Sequence, residues 1–417
     1  MSGYRAAPSP IPHVPLPAPV QRALWATRPT WLLDLADRRG RPAVVTKALD
    51  AWPLLLVTTA DATREALTLP ELDGAAANRA LAPVVGDDSV FTTSGERHRW
   101  HRALLGRPLA RRRLADYAGR IEATVEQHCR LWGETAGRPV ALQPRLHELT
   151  VDVLLAVLVG PSSAGRLPTL RAALLQDVAG PRAASALWPQ LARDRTAIER
   201  ELDEAFRATA SGDGPTILGS LVAHDAALRP EDVRTAALSL AVAGHETAAV
   251  GLAWCLERAL ALPSATAALA EAVDHGGAAL IGFVREALRQ RPVIPLLSRV
   301  ALRRAQIGSV VVEPGARVAP CAWLAHRDPS AYDEPAVFDP GRFTGSKATA
   351  GSWFVFGGGA RSCLGAAYAE LVVATALRVL LRLYDVRAAG RVPAAVARKS
   401  IMFVPRDGLR VVLTPRG

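Results

Sequence analysis

The ten residues Phe356-Gly357-Gly358-Gly359-Ala360-Arg361-Ser362-Cys363-Leu364-Gly365 concentrate more reactive character than any other stretch of this chain. Cys363 stands just ahead of Leu364 to about Leu383, where the apolar spacing predicts a helix. A thiol at a helix N-terminus meets partial positive charge and unpaired N–H groups, which lower its pKa and favour the thiolate. A thiolate is a metal ligand, and the glycines beside it let backbone approach closely whatever it packs on. The alternative is a buried structural cysteine after a glycine loop, the ordinary fate of a free cysteine.

A second cluster, Ala243-Gly244-His245-Glu246-Thr247, lies inside the longest helical pattern, Pro230 to Leu262. Gly in mid-helix costs about 1 kcal/mol relative to Ala. Thr247 can turn its hydroxyl to the carbonyl of Ala243 one turn back, which bends helices. The bend opens a groove, and Glu246 with Thr247 form an acid–alcohol pair able to relay protons into it. A plain kink with Glu246 in a salt bridge is the other reading. Glu286-Ala287-Leu288-Arg289 sets an acid and a base three apart on one helical face, a pair worth about 0–1 kcal/mol when exposed. In Gly95-Glu96-Arg97-His98-Arg99-Trp100-His101-Arg102, His98 and Arg102 are four apart and share a face, while Trp100 and His101 read as packing.

Phe356, Gly359, Arg361, Cys363 and Gly365 together form a spaced pattern that ordinary residue usage produces by chance on the order of once in 10,000 such chains. The segment resembles the haem-thiolate loop of the cytochrome P-450 family, in which the cysteine sulfur is the axial ligand of haem iron. The resemblance extends from about residue 43 to the end, with four motifs in the family's order. It implies haem b as cofactor, Cys363 on the iron, and Phe356 and Gly365 in the loop beneath a flat macrocycle. Ala243 to Thr247 resembles the oxygen-activation motif, with Ala243 and Gly244 against the haem and Glu246 and Thr247 as catalytic proton donors. Glu286, Arg289 and Arg342, the last in Pro340-Gly341-Arg342-Phe343, would form a buried network behind the loop. His98, Arg102, Arg299 and Arg361 match positions that meet the haem propionates. The implied activity is monooxygenation of a hydrophobic small-molecule or peptide substrate, in secondary metabolism, with electrons from a ferredoxin or flavodoxin and its reductase. Oxidative C–C or C–O coupling of aromatic groups is an alternative, and a non-catalytic haem-bound recruitment protein is another. The chain departs from the pattern at Val372, where many relatives carry an acid, and at Glu370, where bacterial relatives often carry Arg. Those changes bear on how a redox partner docks.

The elements that must position these side chains are read from pattern. From about residue 97 onward the periodicity is mostly helical, and strand-like runs fall at Ala43–Val45, Leu54–Thr58, Val310–Val312, Arg317–Ala319, Val386 and Val411–Leu413. The expected fold class is mainly α with a small sheet drawn from both ends and a long central helix. Residues 1–42 read as a proline-containing arm, with six prolines in the first twenty residues, and 43–417 as a single domain. Half the residues are hydrophobic, so a large core is assured, and four scattered cysteines fit a reducing cytoplasm rather than a disulfide framework. The net charge of +11 is nearly all arginine and dispersed, without the basic run that nucleic acid demands. The stretch Leu149–Val159 is too short to span a bilayer and contains Asp152, so the expectation is no membrane, a cytoplasmic location and a monomer.

Overall fold

Apolar side chains at three- and four-residue intervals along Arg111–Trp132 bury Leu114, Tyr117, Ile121, Val125 and Trp132 on one stripe. That stripe lies on the helix Ala366–Leu383, which follows the glycine loop. The computed structural model describes residues 4–6, 11–39, 42–47, 53–161, 165–176, 189–209, 215–223, 228–344 and 351–416. Most of the first ten residues lie outside that set.

At the centre stand two helical segments, Pro230–Gly244 and Glu246–Ala261, in place of the single helix expected. Pro230 opens the first with Glu231 and Asp232 in its first turn, a start favoured by fixed φ and by the helix dipole. The segments meet at His245 (φ −96°, ψ −61°), one residue past the mid-helix glycine. From Ala248 to Ala259 every residue is buried. The helix Leu142–Val159, buried throughout from Val153 to Val159, packs along it. The pair Pro230–Ala261 is long and apolar enough to cross a bilayer, but 78% of its most apolar window is buried inside the protein. It is a core element, as an all-round apolar surface requires.

The strands expected from the sequence are present, but among the described residues they form four small sheets, not one. In the largest, Ala43–Thr46, Leu54–Val57, Arg317–Pro320, Arg299–Ala301 and Leu72–Asp73 lie in that order. In a separate sheet the C-terminal strand Arg410–Pro415 pairs with Tyr384–Ala388 on one side and Pro139–Ala141 on the other, and Val396–Lys399 pairs with Met402–Pro405 as a hairpin. Short β-rich runs mark extended segments without naming their partners, which tertiary packing chooses.

The division at residue 42 is also redrawn. Ala18–Thr27 and Pro29–Arg39 are helices. Trp25, Leu32 and Leu33 share one buried cluster with Trp323 and Phe403. Pro19 and Pro29 sit in first turns, where a missing N–H costs nothing, so proline content gave the impression of an extended arm. Trp25→Ala is expected to lower the unfolding free energy by about 3–5 kcal/mol, the cost of emptying a packed aromatic site. A denaturant titration followed by circular dichroism checks it; a change within about 0.5 kcal/mol, the range of surface substitutions, would restore the arm.

Candidate active site

The glycines of the 356–365 loop are needed for a more specific reason than backbone freedom alone. Gly357 and Gly359 have positive φ, +71° and +62°. A Cβ on Gly359 would stand 2.1 Å from the carbonyl oxygen of Leu67. The loop is therefore pressed onto the C-terminal end of the helix Ala60–Thr68, and that contact demands glycine. The Cys363 N–H closes the loop on the carbonyl of Phe356 at 2.8 Å. Phe356 stacks edge-on to Trp353, and Trp353 tilts against Phe343, a hydrophobic wedge behind the turn.

Cys363 is the exposed cysteine, while Cys129, Cys255 and Cys321 are buried. The protein around it nevertheless pushes the thiol pKa up by burial. The Gly365 N–H and the Arg102 charge oppose that shift without overcoming it. The helix begins only at Ala366, three residues on, so the expected lowering by the helix N-terminus is outweighed.

Behind the loop, Arg289 grips Glu286 through two bonds of 2.7 and 2.8 Å, and both side chains are fully buried. Arg289 also donates to the carbonyls of His326, Pro335 and Val337, while the Asp339 N–H donates to Glu286 at 3.0 Å. Arg342 joins more loosely, 3.7 Å from Glu286. Burial pushes the Glu286 carboxyl up, and Arg289 works against that. Glu370 is internal as well: Arg285 holds it at 2.6 and 3.1 Å, so it adds no free negative charge to the surface.

At the helix break the Thr247 hydroxyl donates to the Ala243 carbonyl at 2.7 Å. Ala243 is exposed and Gly244 and Thr247 are half-buried, so one face of a core helix remains accessible. His245 and Glu246 turn inward. His245 is fully buried; its Nδ1–H donates to the Ala241 carbonyl at 2.6 Å, and its ring meets His147 edge-on at 5.1 Å. Glu246 forms an ion pair with Lys399 of the C-terminal hairpin, Nζ to Oε1 2.7 Å.

The four cationic candidates converge. Arg102 donates to the Ser362 carbonyl at 2.7 Å and lies within the field of Cys363. Arg361 donates to the carbonyls of Val90 and Thr93 and to Asp73. Burial and the nearby Arg361 push the Arg299 guanidinium down to about 10. Burial, then Arg361 and Arg102, push His98 down to about 4, so its ring is neutral. Asp73 is the carboxylate that acts on this group among the described residues. Three guanidiniums against one carboxylate leave an excess of two positive charges in a half-buried place, a field that favours a ligand with two anionic groups.

Phe403 is drawn into the core against Trp25 and Trp323, at 5.7 and 5.4 Å. Asp88 is engaged by Arg97 and His101 and held at about 2, chiefly by Arg97.

The profile of the family cytochrome P-450 matches residues 216–409. Cytochrome P-450 137 of Mycobacterium tuberculosis is 31% identical over 411 residues, covering 91% of this chain and 84% of that protein. The chain belongs to the cytochrome P-450 family. Cytochrome P-450 135B1 of Mycobacterium bovis is 30% identical over 362 residues, covering 80% of this chain and 76% of its own length. Among solved structures, the heme domain of cytochrome P450DA superposes with a TM-score of 0.82 at 21% identity, over 98% of this chain and 97% of that one. Retinoic acid bound cyanobacterial CYP120A1 gives 0.78 at 22% identity, over 97% and 99%. The mainly helical cytochrome P-450 fold is thus shared, and membership makes this chain a haem monooxygenase.

Sequence reasoning missed Asp73, His147 and Lys399. Each reaches the site from a distant element, and a lone acid, histidine or lysine carries no local pattern. For the cytochrome P-450 network behind the loop, Arg289→Met should cost about 3–5 kcal/mol, the penalty for stranding a buried charge. Arg342→Met, which loses a 3.7 Å contact to Glu286 and a 3.2 Å bond to the exposed Glu334 carbonyl, should cost distinctly less. Denaturation midpoints of the two variants give the order; equal losses would show that the geometry misassigns the anchor.

Proposed function

We propose that this monooxygenase holds haem through Cys363 and oxidises an apolar organic substrate with electrons from an acidic ferredoxin or flavodoxin. Haem held by a thiolate supplies oxygen activation. The protein's own residues do the rest. Arg102, Arg299 and Arg361, with His98, bind the two propionates, and the excess of two positive charges is the observation that carries this reading. Two carboxylates beside His98 would raise its pKa from about 4 and draw a proton onto it. Phe356, Gly359 and Gly365 shape the loop that presents the sulfur.

Glu246, a carboxylate in its pair with Lys399, would take up a proton from solvent and pass it toward Thr247, whose hydroxyl lies on the accessible face with Ala243 and Gly244. The presence of this acid–alcohol pair favours catalysis over a recruitment role. Oxygen insertion and oxidative coupling share this machinery, and insertion is the reading we adopt.

Half-buried apolar side chains at Val90, Phe91, Ile294, Leu296 and Leu297 support a hydrophobic substrate of medium size, as in secondary-metabolite biosynthesis. Docking of the partner is supported by the exposed Arg107, Arg111, Arg112 and Arg113. They flank the start of the helix Arg111–Trp132, and Gly106 beside them approaches Leu364 of the loop. The internal pairing of Glu370 removes the objection that its charge would repel an acidic partner. A cytoplasmic setting suits such carriers.

Two measurements test the reading. In the reduced carbonyl complex, wild type should show the red-shifted Soret band of thiolate-ligated haem, and Cys363→Ser should lose it; an unchanged band would remove Cys363 from the iron. With a [2Fe–2S] ferredoxin as donor, Arg112→Glu should raise the KM for ferredoxin about five- to tenfold at low salt, and the difference should shrink as salt screens it. A KM that ignores both changes would place docking elsewhere.

A further inference from the structure

We infer that Asp73 is a fixed counter-ion of the propionate-binding cations, a positioning residue that acts through Arg361 and Arg299. It brings the site to electrical balance when two propionates are seated, and it tempers the hold on them. The inference rests on the reading of Arg102, Arg299 and Arg361 as the residues that bind those groups.

Sheet register brings the acid to the cluster. The edge strand Leu72–Asp73 pairs with Arg299–Ala301, and Asp73 stands opposite Val300, the neighbour of Arg299. The stem of Arg361 lies beside Gly74, 3.4 Å from where a Cβ would stand. Asp73 thus sits between the strand that carries one cation and the loop that carries another.

The carboxylate cannot swing away from this place. Oδ1 accepts from the Ser94 hydroxyl at 2.9 Å, the Ala75 N–H at 3.1 Å and Arg361 at 3.2 Å, and Oδ2 accepts from the Ala76 N–H at 3.2 Å. Four donors from three segments hold it, with 14% of its side-chain surface exposed.

Arg361 does not depend on this acid for its own position. It also donates to the Thr93 carbonyl at 2.6 Å and the Val90 carbonyl at 2.9 Å, in the segment that leads into the helix Gly95–Gly106. What Asp73 adds is charge. Arg299 donates to the carbonyl of its neighbour Ser298 and pairs with no carboxylate among the described residues. Burial and the Arg361 charge disfavour the cation at Arg299, and Asp73 favours it. Three guanidiniums less one fixed carboxylate match two propionates. The same acid eases repulsion among the cations while propionates are absent and repels the propionates once they are present.

The test compares haem with its dimethyl ester, in which neither propionate carries a charge. Protein loaded with either is mixed with excess apomyoglobin, and release is followed by Soret absorbance. Wild type should release the ester faster than haem. Asp73→Asn removes the charge and keeps the shape. It should release haem about fivefold more slowly than wild type, the effect of one unit charge across a partly screened distance, and the ester at an unchanged rate. Asp73→Glu, which keeps the charge, should stay near the wild-type rate. Asp73→Ser can still accept from the Ala75 and Ala76 N–H groups and stands in if the Asn variant does not fold. Haem and ester altered alike in the uncharged variant would mark a purely structural acid and overturn the inference. Haem release at or above the wild-type rate overturns it too, as does failure of both uncharged variants to retain haem while Asp73→Glu retains it. With wild type still favouring haem over the ester, those outcomes leave the propionate reading standing. Wild type releasing both at one rate would sink that reading, and this inference with it.

Discussion

A carboxylate with no access to water must keep its cation, and Glu286 is such a group. Its partner Arg289 has no surface either, so neither can relax into solvent when the other moves. Arg289 spends its remaining N–H groups on the carbonyls of His326, Pro335 and Val337, and Glu286 takes the Asp339 N–H. One ion pair thereby fixes an irregular segment that has few backbone partners of its own. The turn at Pro340–Phe343 and the ring of Trp353 rest on that segment and its neighbours, and the cysteine loop rests on Trp353. The position of the sulfur is thus determined by a charge pair it never touches.

From the other side, the loop is fixed by sterics. Gly359 against the Leu67 carbonyl leaves no space for any side chain, so the turn can neither slide nor rotate toward the helix Ala60–Thr68. Arg361, in the same turn, reaches across to the carbonyls of Val90 and Thr93 and draws the 90–94 segment toward the cysteine loop. Electrostatic pull and backbone contact act on neighbouring residues of one turn. The arrangement leaves Cys363 accessible while the Glu286–Arg289 pair that fixes its surroundings is fully buried.

Much of this was legible in the sequence because the chemistry is local. The loop, the acid–alcohol pair and the Glu286–Arg289 spacing lie within single elements, where residue order specifies geometry. The burial stripe of Arg111–Trp132 is likewise a matter of helical period. What could not be read depends on contacts between distant elements. The partner that Gly359 approaches so closely is a protein carbonyl, that of Leu67, and the arm of residues 1–42 holds a tryptophan that packs on Phe403. Strand partners, the neutralisation of Glu370 by Arg285 and the pairing of Glu246 with Lys399 all join segments far apart in sequence. The thiol of Cys363 shows two principles in competition: charge and N–H groups favour the anion, burial opposes it, and burial is the larger.

The bend at Thr247 has a consequence for the polarity of the groove it opens. A threonine hydroxyl owns one hydrogen and two lone pairs, and here the hydrogen is committed to the Ala243 carbonyl. Toward the groove, Thr247 therefore shows only acceptor character. Whatever settles against it must bring the hydrogen, as water or a protonated oxygen does, and a bare carbonyl or ether gains nothing there. The same bond that bends the backbone thus makes the groove a selector of hydrogen-bond donors, before any charge in its vicinity changes.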